Sequence, residues 1–251
     1  ETAVFDAPLV STTYGPRVDQ RLLQDLKYDL ADDYWWQPSP VQSYLDATGF
    51  FLPEKTTDPF GNDEILAYDA YHLAVTQQTD ARGNRTQVVT DYAALQPRRV
   101  TDPNENVQET LYDPLGHVIV TTAFGDGLDE NGLVIRQGDE SLSVYQMQRI
   151  ADSSNPAADP LNEVLTDPAA FLQGATTFAY LDLFAWKRDI DAQAPPEEAR
   201  PVGTVQLTRE THVRALAEGE KSRLQMSVSY LDGFGRAVQT KMKAEPGPAL
   251  V

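Results

Sequence analysis

The sequence predicts a mainly β chain, an antiparallel sheet of repeated strand-and-turn units with a few short helices. Three observations carry that prediction. Aspartates recur every eleven residues, at Asp58, Asp69, Asp80, Asp91, Asp102 and Asp113. Each follows a Thr or a Tyr: Thr57, Tyr68, Thr79, Thr90, Thr101 and Tyr112. And 17 Pro and 15 Gly punctuate the 251 residues, as a many-stranded chain requires. With 38 acidic residues in the whole chain, five further acidic hits in register have a chance of about one in ten thousand per starting point, so the spacing is a repeat.

Alternate members resemble each other more than neighbours do. Thr57-Asp58-Pro59-Phe60-Gly61-Asn62, Thr79-Asp80-Ala81-Arg82-Gly83-Asn84 and Thr101-Asp102-Pro103-Asn104-Glu105-Asn106 form one set. Tyr68-Asp69-Ala70-Tyr71-His72, Thr90-Asp91-Tyr92-Ala93-Ala94 and Tyr112-Asp113-Pro114-Leu115-Gly116-His117 form the other. The unit is therefore about 22 residues long, two strand-plus-turn halves. The Asp side chain can accept the turn's own amide hydrogens, Pro59 presets the first corner, and Gly61 takes the left-handed position that closes a type I turn. About four residues per half go to the turn and about seven remain for a strand, close to the usual length. Turns so spaced alternate between the two ends of a sheet, one set on each rim. The competing reading is a parallel solenoid with one coil per unit.

Taken in order, residues 1–16 alternate weakly and end in the turn formers Tyr14-Gly15-Pro16, a strand entering a turn. Val18, Leu22, Leu26 and Leu30 recur every fourth residue, with Leu23 widening the stripe, and predict a short helix between Arg17 and Asp33. Tyr34-Trp35-Trp36 is stopped by Pro38 and Pro40 and reads as packing under a loop, or as a sugar-stacking platform. Residues 41–52 read as extended. Within the repeat, Arg85–Thr90, Arg98–Thr101 and Val107–Leu111 are polar strands, and neither sheet face is rich in Leu, Ile or Phe. Such a meander has little apolar area to offset the entropy of ordering it, so a larger wall is expected around it.

After Val118–Thr122 the period breaks at Phe124-Gly125-Asp126-Gly127. A helix is predicted from Glu140 to Ile150 with Asp139 as its cap, and residues 151–165 read as loop. Asp167-Pro168 through Gly174 carries a cap, a first-turn Pro and a closing Gly, which predicts a short helix. Long strands follow at Thr176–Asp189, Val205–Arg214 and Leu224–Ala244, the last broken by the turn Leu231-Asp232-Gly233-Phe234-Gly235-Arg236. Met226, Val228 and Tyr230 alternate on its first arm as a half-buried strand should. The predicted organisation is an opening segment 1–56 with strands and a short helix, a repeat sheet 57–122, loop and short helices 123–175, and long antiparallel strands 176–251.

A net charge of −18 argues against nucleic-acid partners, whose phosphates need a basic surface, and against insertion at an anionic membrane. Without Cys there is no disulfide framework and no thiolate metal site. No apolar run is long enough to span a bilayer. The chain begins with Glu1, which reads as an excised or processed piece.

Candidate chemistry is sparse. None of the three histidines, His72, His117 and His212, stands at metal-ligand spacing to another, so no metal or cofactor is expected. His72 and His117 read as turn residues on one rim, beside Asp69 and Asp113. Asp129-Glu130-Asn131-Gly132 resembles a calcium loop, but aligning its Gly puts Gly127 and Gly138 where the charged anchors belong; a tight turn fits better. No nucleophile elbow or phosphate-cradling loop appears, and turn hydrogen bonding suffices to explain the repeated aspartates. The expectation is a non-enzyme with structural turn residues Asp58, Gly61, Asp80, Gly83, Asp102, Asp113, Gly116, Asp232 and Gly235.

The motifs Tyr112-Asp113-Pro114-Leu115-Gly116-His117 and Leu231-Asp232-Gly233-Phe234-Gly235-Arg236 resemble the Rhs/YD repeat, Tyr-Asp-x-x-Gly-Arg. The ordered set Tyr34-Trp35-Trp36, Asp58 to Asn62, Leu95-Gln96-Pro97, Phe171 to Thr176, Arg209-Glu210-Thr211-His212, Asp232 to Arg236 and Ala244-Glu245-Pro246-Gly247 resembles the middle-to-C-terminal region of the B component of bacterial insecticidal toxin complexes (TcB, TcdB/TcaC-like). That resemblance implies a secreted toxin complex in which B and C components build a hollow Rhs-repeat shell around a cytotoxic effector. It also implies docking onto a pore-forming A component through parts of the parent chain that have no counterpart here. The self-cleaving aspartates of that family lie in the C component, so none is carried over. The sequence departs from the strict repeat, with Thr for Tyr and Asn or His for Arg. The rival functions are a carbohydrate-binding repeat module resting on Trp35, Trp36 and the tyrosines, and a glycosidase.

Overall fold

The computed structural model describes residues 2–150 and 158–244, and the chain divides into two compact units, 1–88 and 89–251. The rest of the predicted loop, residues 151–157, and most of the Ala244-Glu245-Pro246-Gly247 motif lie outside the described residues.

In the first unit β1 (Thr2–Asp6) leads into α1 (Ala7–Thr13), and a 3-10 turn precedes α2 (Gln20–Asp25). Asp6 and Asp19 cap these helices, accepting from the amides of Leu9 at 2.5 Å and Leu22 at 2.8 Å. β2 (Asp29–Ala31) and β3 (Tyr34–Gln37) follow, and β1-β3-β2 make a small antiparallel sheet. Val10, Leu23 and Trp35 form the core of this part. The predicted helix thus shrinks to α2. Leu23, on the flank of the predicted stripe, is the buried position, whereas Leu22, Leu26 and Leu30 are exposed and Leu30 lies in β2. Lys27, Asp32 and Asp33 take left-handed backbone conformations, which end the helix early and turn the chain into strands. α1 is likewise additional to the sequence reading.

β4 (Val41–Tyr44), β5 (Pro53–Thr57), β6 (Asp63–Tyr68), β7 (Val75–Thr79) and β8 (Arg85–Asp91) then run as an antiparallel meander, each strand beside its sequence neighbour. That disposes of the solenoid. From Phe50 to Asn106 no residue is buried, as the polar composition of these strands foretold.

The second unit, which takes the end of β8, continues with β9 (Gln96–Thr101), β10 (Val107–Tyr112), β11 (Val118–Leu128) and β12 (Val134–Gly138). After it come α3 (Pro160–Thr166), α4 (Pro168–Leu172), β13 (Thr177–Asp182), α5 (Ala185–Asp191), β14 (Gly203–Arg209), β15 (Leu224–Leu231) and β16 (Ala237–Met242). The sheet order is β9-β10-β11-β13-β14-β15-β16, with β12 also paired to β11. β11 runs through Gly125 and Gly127, where the sequence reading ended the strand: a Cβ on either glycine would meet the side chain of Asn106 or Gln137. Here the glycines admit neighbours to a long strand rather than breaking it.

Two predicted long strands are shorter. Thr176–Asp189 ends at Asp182 and becomes α5, and Val205–Arg214 ends at Arg209 before a 3-10 turn at Val213–Ala215. The helix predicted over Glu140–Ile150 is absent, and that stretch is irregular. Part of the predicted loop is instead α3, capped by Asp159, whose carboxylate accepts from Asn162 at 3.3 Å. α4 forms as predicted, with Asp167 accepting from Ala170; the left-handed residue after it is Gln173 rather than Gly174.

These helices supply what the meander lacks. Val120, Val164, Phe171, Leu172, Phe178, Val205, Leu207, Met226 and Val228 make one apolar core between α3, α4 and the sheet. Beside it lies a buried ion pair. Arg188 of α5 grips both oxygens of Asp182, one through Nη1 at 2.8 Å and the other through Nη2. Both side chains are 3 % exposed. Breaking such a pair strands a charge away from water. Asp182→Ala should therefore lower stability by about 3–5 kcal/mol, measured by denaturant unfolding; a change within about 0.5 kcal/mol would mean that the Arg188 charge is not stranded.

Candidate functional site

Six turns share one geometry, at Asp58, Asp80, Asp102, Asp113, Asp129 and Asp232. In each the Asp amide donates to the carbonyl four residues on at 2.9–3.0 Å, and the residue three on returns its amide to the Asp carbonyl. The carboxylate closes the loop. One oxygen accepts from the amides two and four residues on, 2.8 Å each at Asp58, Asp102 and Asp113. In five of the six the other oxygen takes the side chain four residues on: Asn62 at 2.8 Å, Asn84 at 2.7 Å, Asn106 at 2.9 Å, His117 at 2.9 Å and Arg236 at 2.7 Å. The last position of the repeat therefore asks for any N–H that can reach back, and Asn, His and Arg all qualify.

The third residue after Asp is left-handed throughout: Gly61, Gly83 and Gly116 at φ +83°, +83° and +84°, Gly132 and Gly235 at +77°. Glu105 occupies that position at +64° without being Gly. The Asp129 turn is the tight turn foreseen in place of a calcium loop, and it proves to be a further copy of the repeat corner. Asp69 and Asp91 deviate. At Asp69 the closing carbonyl belongs to Ala74, one residue later. At Asp91 the left-handed residue is Leu95, one residue later. His72 and His117 are accordingly not equivalent. His72 occupies the left-handed corner near Phe50 and Tyr68, whereas His117 is the residue that reaches back to its Asp.

The tyrosines of the motif have a separate task. The Tyr68 hydroxyl donates to the Pro53 carbonyl and that of Tyr112 to the Pro97 carbonyl, each at 2.7 Å. Each joins the open end of a hairpin whose closed end is an aspartate turn. Leu95-Gln96-Pro97 thus matches Phe51-Leu52-Pro53, and Phe51 and Leu95 share φ +53°. Thr90 lies midway between the two tyrosines and carries no phenol.

The remaining candidates fold inward. Trp35 is 4 % exposed, and the Trp36 indole N–H donates to the Ala31 carbonyl at 3.0 Å, so packing describes them better than a stacking platform. Asp139, expected as a helix cap, is 1 % exposed. It accepts from Thr176 Oγ1 at 2.6 Å, from the Val213 amide at 2.8 Å, and contacts His212 Nδ1 at 2.8 Å and Arg209 Nε at 3.5 Å. Gly138 at φ +85° permits this: a Cβ there would meet the Ala123 carbonyl at 2.4 Å. Nothing in the local sequence announces the network, because its members lie far apart along the chain.

No family model and no curated protein matches the chain. Solved structures do. A crystal structure of TcdB2-TccC3 aligns with a TM-score of 0.73 and 22 % identity, over 98 % of this chain and 11 % of that one. A TcdB2-TccC3-Cdc42 crystal structure aligns at 0.73 and 19 %, over 98 % of this chain and 13 % of that one. The chain folds as a segment of TcdB2-TccC3 does. The structure of a Photorhabdus luminescens Tc holotoxin pore agrees, with a TM-score of 0.70 and 18 % identity over 98 % of this chain and 13 % of that one. The chain thus spans about an eighth of the length of these Tc chains, and at this identity the likeness is one of fold. The antiparallel sheet with a few short helices is the predicted fold class.

The aspartate turns make two predictions. Gly61→Val, Gly83→Val and Gly116→Val should each cost about 1 kcal/mol or more, since a β-branched residue resists the left-handed corner. Glu105→Gly should raise stability by up to about 1 kcal/mol; thermal midpoints that do not separate in these directions would refute the corner assignment. Hydrogen bonds from Asn62, Asn84 and Asn106 hold the carboxyls of Asp58, Asp80 and Asp102 below the usual range, as the Arg236 amide and side chain do for Asp232. Arg200 draws Asp189 down to about 2. Because the folded pKa values lie below the unfolded ones, this stability is present above about pH 4 and lost as pH falls towards 2. Scanning calorimetry across that window should show a falling midpoint, and a flat profile would contradict the hydrogen bonding described.

Proposed function

We propose that this chain is a non-enzymatic piece of wall in a secreted toxin-complex shell, which with a C component encloses a cytotoxic effector for passage through a pore-forming A component. The observation that carries the reading is the alignment of nearly the whole chain, 98 % at a TM-score of 0.73, with TcdB2-TccC3. The physical character of the repeat supports it. Strands without a buried residue from Phe50 to Asn106 contribute no core, as befits a partition with solvent or unfolded chain on both faces. The turn aspartates accept from the amides of their own corners, a structural task that accounts for their repetition.

Co-expression with a C-component reading frame tests the proposal. The expected outcome is co-purification and a C-terminal effector segment that resists added protease while the shell stays intact. An effector digested as quickly in the complex as alone would overturn the enclosure. Saturable quenching of tryptophan fluorescence by a defined glycan would favour the carbohydrate-binding reading instead.

A further inference from the structure

One cleft of the second unit, about 290 Å³ in volume, is lined by Arg99, Phe124, Arg136, Asp139, Ser141 and Arg214. Strand register gathers these residues. Arg99 of β9 stands opposite Glu109 of β10, which stands opposite Thr122 of β11. Phe124 is two residues further along β11 and so shares that face. Arg136 of β12 stands opposite Asp126, two residues further again. Arg214 arrives from the 3-10 turn Val213–Ala215, which the Val213 amide anchors to Asp139 at 2.8 Å. The guanidinium carbons of Arg99 and Arg136 lie 6.0 and 5.4 Å from the centroid of the Phe124 ring.

Three arginines around one cleft are unexpected in a chain with 20 basic and 38 acidic residues, and like charges so gathered repel. The carboxylates nearby do not use up their donors. Arg99 meets Glu109 Oε1 at 3.2 Å through Nη1, while Oε2 is taken by the Ser141 hydroxyl at 2.9 Å and the Leu142 amide at 2.7 Å. Arg136 meets Asp126 at 3.2 Å through Nε, with both side chains half-exposed. Asp139 is committed to Thr176, His212, Val213 and Arg209. Arg214 makes no ion pair among the described residues. Each guanidinium offers five N–H donors in a planar fork that matches a carboxylate or phosphate.

We propose that this cleft is an oxyanion-binding site, in which Arg99, Arg136 and Arg214 grip a carboxylate or phosphate group of a second molecule. The site is independent of the shell reading, because it rests on the second unit alone and needs no C component.

Titration calorimetry of the full chain tests it with two probes, inorganic phosphate and a capped Glu-Asp-Glu peptide, with a capped Gln-Asn-Gln peptide as the neutral control. At least one anionic probe should bind saturably, weaken as salt rises, and bind about tenfold more weakly to Arg136→Gln and to Arg214→Gln. Both positions are exposed, so the variants should keep the circular dichroism of the parent. Binding of phosphate alone would assign a free or esterified phosphate as the source, and binding of the acidic peptide alone a carboxylate-bearing segment. Absence of saturable binding of either probe up to about 10 mM, or equal binding by parent and variants, would overturn the site.

Discussion

The structure depends on a carboxylate that folds back on its own turn. A hairpin corner brings several amide N–H groups to one side with too few carbonyls to receive them. In each regular corner a single Asp oxygen receives two of these, from residues two and four positions on. Because those donors are backbone groups, their own side chains are free to vary, the third residue alone being held to a left-handed backbone, and because the acceptor is charged the bonds are stronger than neutral ones. The chain thereby acquires corners that need no core, and strands can be added wherever a corner is placed.

That independence has a price in burial. The meander of the first unit has no interior, and among the described residues its short opening segment packs Phe5, Val18 and Tyr28 around the buried Val10, Leu23 and Trp35. The second unit behaves differently: α3 and α4 cover one sheet face and enclose an apolar core, while α5 contributes the buried Arg188. β11 is the strand that permits both, since it pairs with β10 of the repeat, β13 of the core sheet and β12 of an additional hairpin. The corner before β12 is built as the repeat corners are, so the same device serves outside the regular spacing.

What was readable in the sequence follows from the range of the interactions. The corners were legible because donor and acceptor lie within four residues of each other, as in Asp58–Asn62 and Asp232–Arg236. α4 was legible for the same reason, its cap and proline being adjacent. Partners distant along the chain leave no local signature. Asp139 looked like a cap from its neighbours, yet its partners are Thr176, Arg209 and His212. Leu22, Leu26 and Leu30 looked like a buried stripe, yet the left-handed residues Lys27, Asp32 and Asp33 redirect the chain. The roles of Tyr68 and Tyr112 were hidden too, since each acts on a carbonyl on the neighbouring strand, fifteen residues earlier.

The order of strands in the first unit bears on how the molecule reaches its shape. From β4 to β8 each strand lies against the one synthesised just before it, so closing each contact spans only a short loop and little chain entropy is lost at a time. Such a ribbon can assemble progressively as it leaves the ribosome, one arm at a time. The β11–β13 pairing is different in kind, because Val120 must wait for Phe178. Completion of the second unit therefore lags behind its own first strands, and in that interval the apolar face of β11 around Val120 lacks its partner strand and stands open to a chaperone or to a neighbouring chain.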